Sequence, residues 1–243
     1  MAGPKLALTA NDALFIDFDG TLAPLQMDPD TVWLPKGLDQ ILMGLSAQLD
    51  GAVCILSGRD TRDLCRRVPD MLWRAGLHGL EQIAPGQLPN AKPPPAPEGL
   101  EAELLTLIQA HSGARLEVKG PAFAIHYRGY EHLKDPLGAA LQAILPSWPA
   151  HLLQGGHMVW EVKPLAANKG KCLAQMMQHS PFAGRHPIMI GDDITDEDGM
   201  QAALSLGGTA MRIGAGETCA PHGLDSPAQL QEILADWLSA LSP

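Results

Sequence analysis

Ala13-Leu14-Phe15-Ile16-Asp17-Phe18-Asp19-Gly20-Thr21 is a short apolar run that ends in two carboxylates, a glycine and a threonine. An apolar run of that length, bounded by glycine, reads as a buried strand. Open α/β sheets place their ligands at the C-terminal ends of such strands, and that is where the two acids fall. Residues two apart leave a strand on the same side, so Asp17 and Asp19 converge while Phe18 points the other way. Close carboxylates repel unless a cation sits between them or one of them holds a proton. Gly20 and Thr21 allow a sharp turn and offer N–H and hydroxyl donors to an anion. A strand ending in a solvated acidic turn has the same pattern, so this motif leaves both readings open.

Alternation extends outward from this strand. Leu38 to Leu49 has helical apolar spacing, Ala52 to Leu56 is a second buried strand ending at Ser57-Gly58-Arg59, Asp60 to Val68 is a helix, and Leu72 to Leu77 is a strand ending at His78-Gly79. Strand and helix in turn predict a parallel sheet. The composition then changes, because Ala84 to Pro97 is proline-rich without apolar periodicity and reads as a linker. Beyond it come a helix (Glu98 to His111), extended segments (Arg115 to Lys119, Phe123 to Arg128), a helix near Lys134 to Leu145, and strands near His151 to Gln154 and Met158 to Val162 joined by Gly155-Gly156. Adjacent strands predict an inserted α+β module. Alternation resumes with helix Lys169 to Gln178, strand His186 to Ile190, helix Asp196 to Leu204, strand Thr209 to Ile213 and a closing amphipathic helix.

Ile188-Met189-Ile190-Gly191 repeats the opening pattern, leading into Asp192-Asp193-Ile194-Thr195-Asp196-Glu197-Asp198. Acids also favour a helix N-terminus, so this run admits a purely structural reading. Its place at a strand end predicts a shared site, and carboxylates gathered there form an oxygen set suited to magnesium. Lys169, opening a helix, reads either as a solvated surface lysine or, if placed beside magnesium and the carboxylates, as the group that would neutralise a bound phosphate and hold its attacking partner ionised. Ser57 adds a hydroxyl donor.

Together D-F-D-G-T, S-G-R, K-G and G-D-D-I-T-D-E-D resemble the haloacid dehalogenase superfamily over nearly the whole chain. Within it, His126-Tyr127-Arg128, Glu161-Val162-Lys163-Pro164 and Lys169-Gly170 resemble the trehalose-6-phosphate phosphatases. The resemblance implies an α/β fold: a Rossmann-like parallel-sheet core (1–88 and 162–243) with an inserted α+β cap (89–161). The prolines of Lys92 to Pro97 fall outside the pattern. It further implies a magnesium-dependent phosphatase that converts trehalose 6-phosphate to trehalose and phosphate. Asp17 would be the nucleophile and Asp19 the general acid and then base, with Ser57 and Lys169 completing the catalytic set. Mg²⁺ would be held by Asp17, the backbone carbonyl of Asp19 and Asp192, supported by Asp193 and Asp196. Substrate binding falls to Gly20, Thr21, Arg59, His78, Glu117, Lys119, His126, Arg128 and Glu161. By the same resemblance, His157 stands where some relatives carry lysine. Related capped phosphatases acting on sucrose phosphate or mannosyl-phosphoglycerate, and a non-catalytic phosphosugar sensor, are the competing readings.

Composition restricts the partners. The 243 residues are 46% hydrophobic, ample for a packed core, and 17 basic against 27 acidic residues give a net charge of −10. No basic field exists to hold nucleic acid or an anionic membrane, so the expected partner is a small sugar phosphate, with functional coupling to a trehalose-phosphate synthase. No apolar segment approaches the roughly 20 residues of a membrane span, and no signal peptide is evident, so the expected location is the cytoplasm. Cys54, Cys65, Cys172 and Cys219 form no C-x-x-C pair and read as free thiols.

Overall fold

In the computed structural model, which describes residues 6–156 and 158–242, the opening run is strand β1 (Asp12–Ile16), buried throughout. It is followed by α1 (Leu38–Gln48), β2 (Val53–Leu56), α2 (Thr61–Arg67), β3 (Trp73–Gly76) and β4 (Glu81–Ile83). An intervening segment contains α3 (Leu100–Gln109), β5 (Arg115–Lys119), β6 (Ala122–His126), α4 (Lys134–Ile144), β7 (His151–Gly156) and β8 (Val159–Pro164). The chain then continues through α5 (Lys169–Met176), β9 (His186–Gly191), α6 (Ile194–Ser205), β10 (Thr209–Ile213), β11 (His222–Leu224) and α7 (Pro227–Leu241). Residues group into two compact units: one runs to Pro89 and resumes at Asn168, and the other is Asn90–Ala167.

The first unit holds a seven-stranded sheet in the order β11-β10-β9-β1-β2-β3-β4, parallel except for the β3–β4 pair. β1 lies between β9 and β2, with Ile16 opposite both Ile190 and Ile55. Three strands therefore end side by side at Asp17, Asp192 and Ser57. Strands buried on both faces must be apolar along their whole length, which is why these runs stand out in the sequence. Helices cover the sheet by their apolar stripes: Leu38, Leu42 and Leu45 on α1, and Leu230, Leu234 and Trp237 on α7. The Trp237 indole also donates to the Leu6 carbonyl at 2.8 Å.

The second unit is an antiparallel sheet, β5-β6-β8-β7. Its core joins Phe123, Ile125 and Val162 from the strands to Leu100, Leu104, Leu137 and Leu141 from α3 and α4. Strand β8 continues to Pro164, so the boundary expected at residue 161 falls inside a strand. The proline-rich stretch read as a linker lies partly in this unit, and a Cβ on Gly120 would meet Pro94 and Pro93. Gly155 and Gly156 lie within β7 opposite Trp160 and Val159, not in the turn that joins the two strands. Lacking a side chain, Gly155 leaves room for the Trp160 ring, 3.2 Å from where its Cβ would sit. His157 lies outside the described residues.

All four cysteines are free, and burial pushes the Cys172 thiol up to about 12, which leaves it protonated and inert. Among the described residues no helix is long and apolar enough to cross a membrane.

Candidate active site

Pairing of β1 with β9 carries over to Asp17, whose N–H donates to the Ile190 carbonyl at 2.9 Å. This sets Asp17 beside the acidic run at the end of β9. Oxygens of Asp17, Asp192 and Asp196 lie within 4.8 Å of one another. Into this group reaches Lys169 from the first position of α5, donating from Nζ to Asp17 Oδ1 and to Asp196 Oδ1, each at 2.6 Å. Asn168 fixes that helix start, since its side chain accepts from Lys171 N–H at 2.9 Å and donates to Asp198 at 2.7 Å.

Asp17, Lys169 and Asp196 are buried, so their charges act at low dielectric. Burial pushes the Asp17 carboxyl well above its usual range, Lys169 opposes this, and Asp196 and Asp192 reinforce it. Asp192 is pushed up to about 6, by burial and then by Asp196. Burial works against the Lys169 ammonium, but Asp17 and Asp196 outweigh it and hold the group above the ordinary lysine value. Three carboxylates thus face one ammonium, and a divalent cation matches the remaining charge. The donor set, entirely carboxylate oxygen, is the kind a hard ion such as magnesium takes.

Within the acidic run the roles separate. Asp196 Oδ2 accepts from the backbone N–H groups of Asp192 and Asp193, at 3.1 and 3.0 Å, and its other oxygen takes Lys169. It therefore braces the turn, leaving Asp17 and Asp192 as the carboxylates best placed to hold a cation. Asp193 caps α6 and stands outside the three-acid group, as does the side chain of Asp19.

Two of the donors expected of Gly20 and Thr21 are engaged within the protein. Gly20 N–H bonds to the Ala23 carbonyl at 2.8 Å, and the Thr21 hydroxyl donates to Asp192 Oδ1 at 2.9 Å. Gly20 has φ +83°, and a Cβ there would be driven into the Asp192 carboxylate. Gly20→Ala therefore costs about 1–2 kcal/mol for the left-handed backbone and displaces Asp192 as well. The expected result is a lowered melting temperature together with a larger proportional loss of magnesium affinity, read by thermal shift over a magnesium titration.

Ser57 is buried at the end of β2, and its Oγ accepts from Arg59 N–H at 3.1 Å, which leaves the hydroxyl proton to donate. His78 is buried, has φ +55°, and lies 2.7 Å from where a Gly58 Cβ would be, so its ring packs on the Ser57 loop. Arg59, expected to bind substrate, directs its guanidinium to two carboxylates of the chain. It forks onto Asp19, Nε to Oδ2 at 2.7 Å and Nη2 to Oδ1 at 2.6 Å, while Nη1 donates to Asp63 Oδ2 at 2.6 Å.

In the second unit, Glu117, Ala124, Glu161 and Gln154 stand in one row across four strands. They alternate with the residues of that unit's core, so they share the opposite, polar face. Lys119, paired with Ala122, and Lys163, two residues from Glu161, lie on the same face. His126 Nε2 contacts Glu117 Oε2 at 2.8 Å, and Lys119 Nζ is 3.7 Å from the same oxygen. Burial pushes Glu117 up, yet His126 and Lys119 outweigh it and hold the carboxyl below its usual value. Arg128 lies just past the end of β6 and is exposed. Lys163 and Gln154 are not among the residues expected to bind substrate. Strand alternation from Glu161 is the signal that finds the first, whereas the second needs the β7–β8 register.

Residues 15–220 match the sequence model of the family described as trehalose-phosphatase. The trehalose-6-phosphate phosphatase of Escherichia coli K12 is 40% identical over 218 residues, covering 87% of this chain and 80% of that protein. A probable trehalose-phosphate phosphatase of Sinorhizobium fredii is 39% identical over 211 residues, covering 84% and 78%. The C-terminal domain of C. albicans trehalose-6-phosphate phosphatase has the same fold, with a TM-score of 0.82 at 20% identity over 96% of this chain and 94% of that one.

Proposed function

This chain belongs to the trehalose-phosphatase family, and from that premise we propose that it hydrolyses trehalose 6-phosphate to trehalose and phosphate through a phosphorylated Asp17. The observation that carries this reading is the buried Lys169, hydrogen-bonded at 2.6 Å to both Asp17 and Asp196 at the end of the central strand. A buried ammonium favours the ionised form of the attacking carboxylate and so opposes the burial that raises it.

In the proposed mechanism an Asp17 oxygen attacks phosphorus as the bond to the sugar oxygen breaks, and Asp19 gives that oxygen a proton. Water then attacks phosphorus, Asp19 takes the water's proton, and the bond from Asp17 to phosphorus breaks. Ser57 donates to a phosphoryl oxygen. Magnesium, held by Asp17, Asp192 and the Asp19 carbonyl, would supply charge neutralisation and alignment. Arg59 donates one bond to each Asp19 oxygen and so orients the acid that carries the proton. Sugar recognition is assigned to the polar face of the second unit, where Glu117, Lys119, His126, Arg128 and Glu161, with Lys163 added, suit a polyol through mixed donors and acceptors.

Phosphate release from the purified protein tests this reading. Trehalose 6-phosphate with magnesium is expected to turn over at least about 100-fold faster, by kcat/KM, than glucose 6-phosphate, a gap of about 2.7 kcal/mol. Chelation is expected to abolish release from both. Indifference to trehalose 6-phosphate, with fast release from sucrose phosphate or mannosyl-phosphoglycerate, would move the specificity to a neighbouring substrate. Binding without release would mark a sensor.

A further inference from the structure

Arg59 is anchored behind Asp19 by a second carboxylate. Its Nη1 donates to Asp63 Oδ2 at 2.6 Å, and Arg67 forks onto both oxygens of the same group, Nε to Oδ2 and Nη2 to Oδ1, each at 2.8 Å. Asp19, Arg59, Asp63 and Arg67 therefore alternate in charge, and the exposed Arg66 adds a third guanidinium, its Nη2 donating to Asp63 Oδ1 at 2.9 Å. The loop after the first motif is tied into the same cluster. Arg59 Nη2 also donates to the Pro29 carbonyl at 2.8 Å, Arg67 Nη1 donates to the Val32 carbonyl at 2.5 Å, and Arg67 stacks 4.7 Å from the Trp33 ring centroid. Phe18 supports the other end, its ring centroid 5.4 Å from the Arg59 guanidinium carbon.

Charge-assisted forks fix direction as well as position, because both partners are planar. Burial raises Asp63, yet the bonds from Arg67 and Arg59 outweigh it and bring the carboxyl down to about 2, so it stays ionised at working pH. Without that charge, Arg59 and Arg67 would face each other as buried cations with nothing between them, and Arg59 would turn away from its present plane.

We infer that Asp63 is a positioning residue for Asp19, setting the plane of its carboxylate through Arg59 while making no contact with substrate itself. The inference rests on the reading of Asp19 as the proton carrier. Proton transfer by a placed side chain contributes roughly 10²–10⁴-fold, and a misplacement of about 1 Å costs about 100-fold, so Asp63→Asn should lower kcat on trehalose 6-phosphate about 10- to 100-fold with KM within about twofold.

The discriminating probe is p-nitrophenyl phosphate, whose leaving group departs without a proton but whose phosphorylated enzyme still needs the base. Rapid mixing with Asp63→Asn is expected to release about one nitrophenolate per chain in a fast burst, followed by slow turnover. Equal losses on both substrates without a burst, or no loss on either, would overturn the inference. Asp63→Glu keeps the charge balance, and so the fold, while a longer stem shifts the anchor. It should give a weaker form of the same burst, and kinetics like the unaltered chain would count against Asp63. Asp19→Asn separates the two readings, because ordinary turnover of trehalose 6-phosphate by that variant removes Asp19 as proton carrier whatever Asp63 does. Adding Asp63→Asn to Asp19→Asn should leave the burst rate unchanged, and a further tenfold slowing would place the action of Asp63 elsewhere.

Discussion

Asp17→Asn is expected to abolish phosphate release, with kcat on trehalose 6-phosphate falling about 10⁴-fold or more, as when an attacking side chain is deleted. The amide nitrogen and carbonyl are poor nucleophiles at phosphorus, and no nearby acid can take over. Asp196 is held on both oxygens by Lys169 and two backbone N–H groups, and Asp192 takes the Thr21 hydroxyl from the neighbouring strand end. The fold should persist. Lys169 keeps Asp196 as a partner at 2.6 Å, and one of three crowded carboxylates has lost its charge. Expected, then, is a melting temperature close to that of the unaltered chain, weaker stabilisation by magnesium, and no phosphate release. Robust turnover by a folded Asp17→Asn protein would remove Asp17 as nucleophile and leave the acidic cluster in need of another role.

The strand ends that gather the acidic cluster are legible in the sequence because buried parallel strands are apolar on both faces and contrast sharply with the polar residues just beyond them. Ala13–Ile16, Val53–Leu56 and Ile188–Ile190 each announce the polar residue at their end. Edge strands carry no such signal. Glu81–Ile83 and His222–Leu224 have three residues each and are only partly buried, and apolar patterning marks neither. Roles set by distant partners are equally hidden. The contact of Arg59 with Asp19 is invisible in the sequence because the two are forty positions apart, and only the folded chain brings them together. Asp63 and Arg67 look unremarked within an ordinary helix, although their spacing of four puts the two on one helical stripe, and Arg59 precedes the helix by two residues. The acidic run poses the reverse difficulty. Five acids in seven residues cannot be sorted by composition, and burial sorts them: Asp196 is fully enclosed and braces the turn, while Asp198 is exposed and serves Asn168.

Lys169→Met should be the most damaging substitution for the fold as well as for catalysis. The side chain is 2% exposed and lies between Asp17 and Asp196, so methionine fills the volume but leaves two buried carboxylates without their cation. Breaking one partner out of such a buried cluster typically costs about 3–5 kcal/mol, which in a chain of this size lowers the melting temperature by about 6–20 °C. The loss depends on pH in a definite direction. Burial holds the Asp17 carboxyl above its unfolded value, and without Lys169 opposing it the rise is larger, so the folded variant binds more protons than the unfolded chain does. Stability then falls as pH rises from the unfolded carboxylate range toward neutrality. The variant should consequently lie nearer the unaltered protein at pH 5 than at pH 8. Magnesium separates this electrostatic account from a simple packing defect. With Lys169 gone, the unbalanced negative charge among Asp17, Asp192 and Asp196 grows, so added magnesium should raise the melting temperature of Lys169→Met by more degrees than it raises that of the unaltered chain. A loss indifferent to both pH and magnesium would mean that the ammonium is there for packing alone, and would withdraw the support it gives to an ionised Asp17.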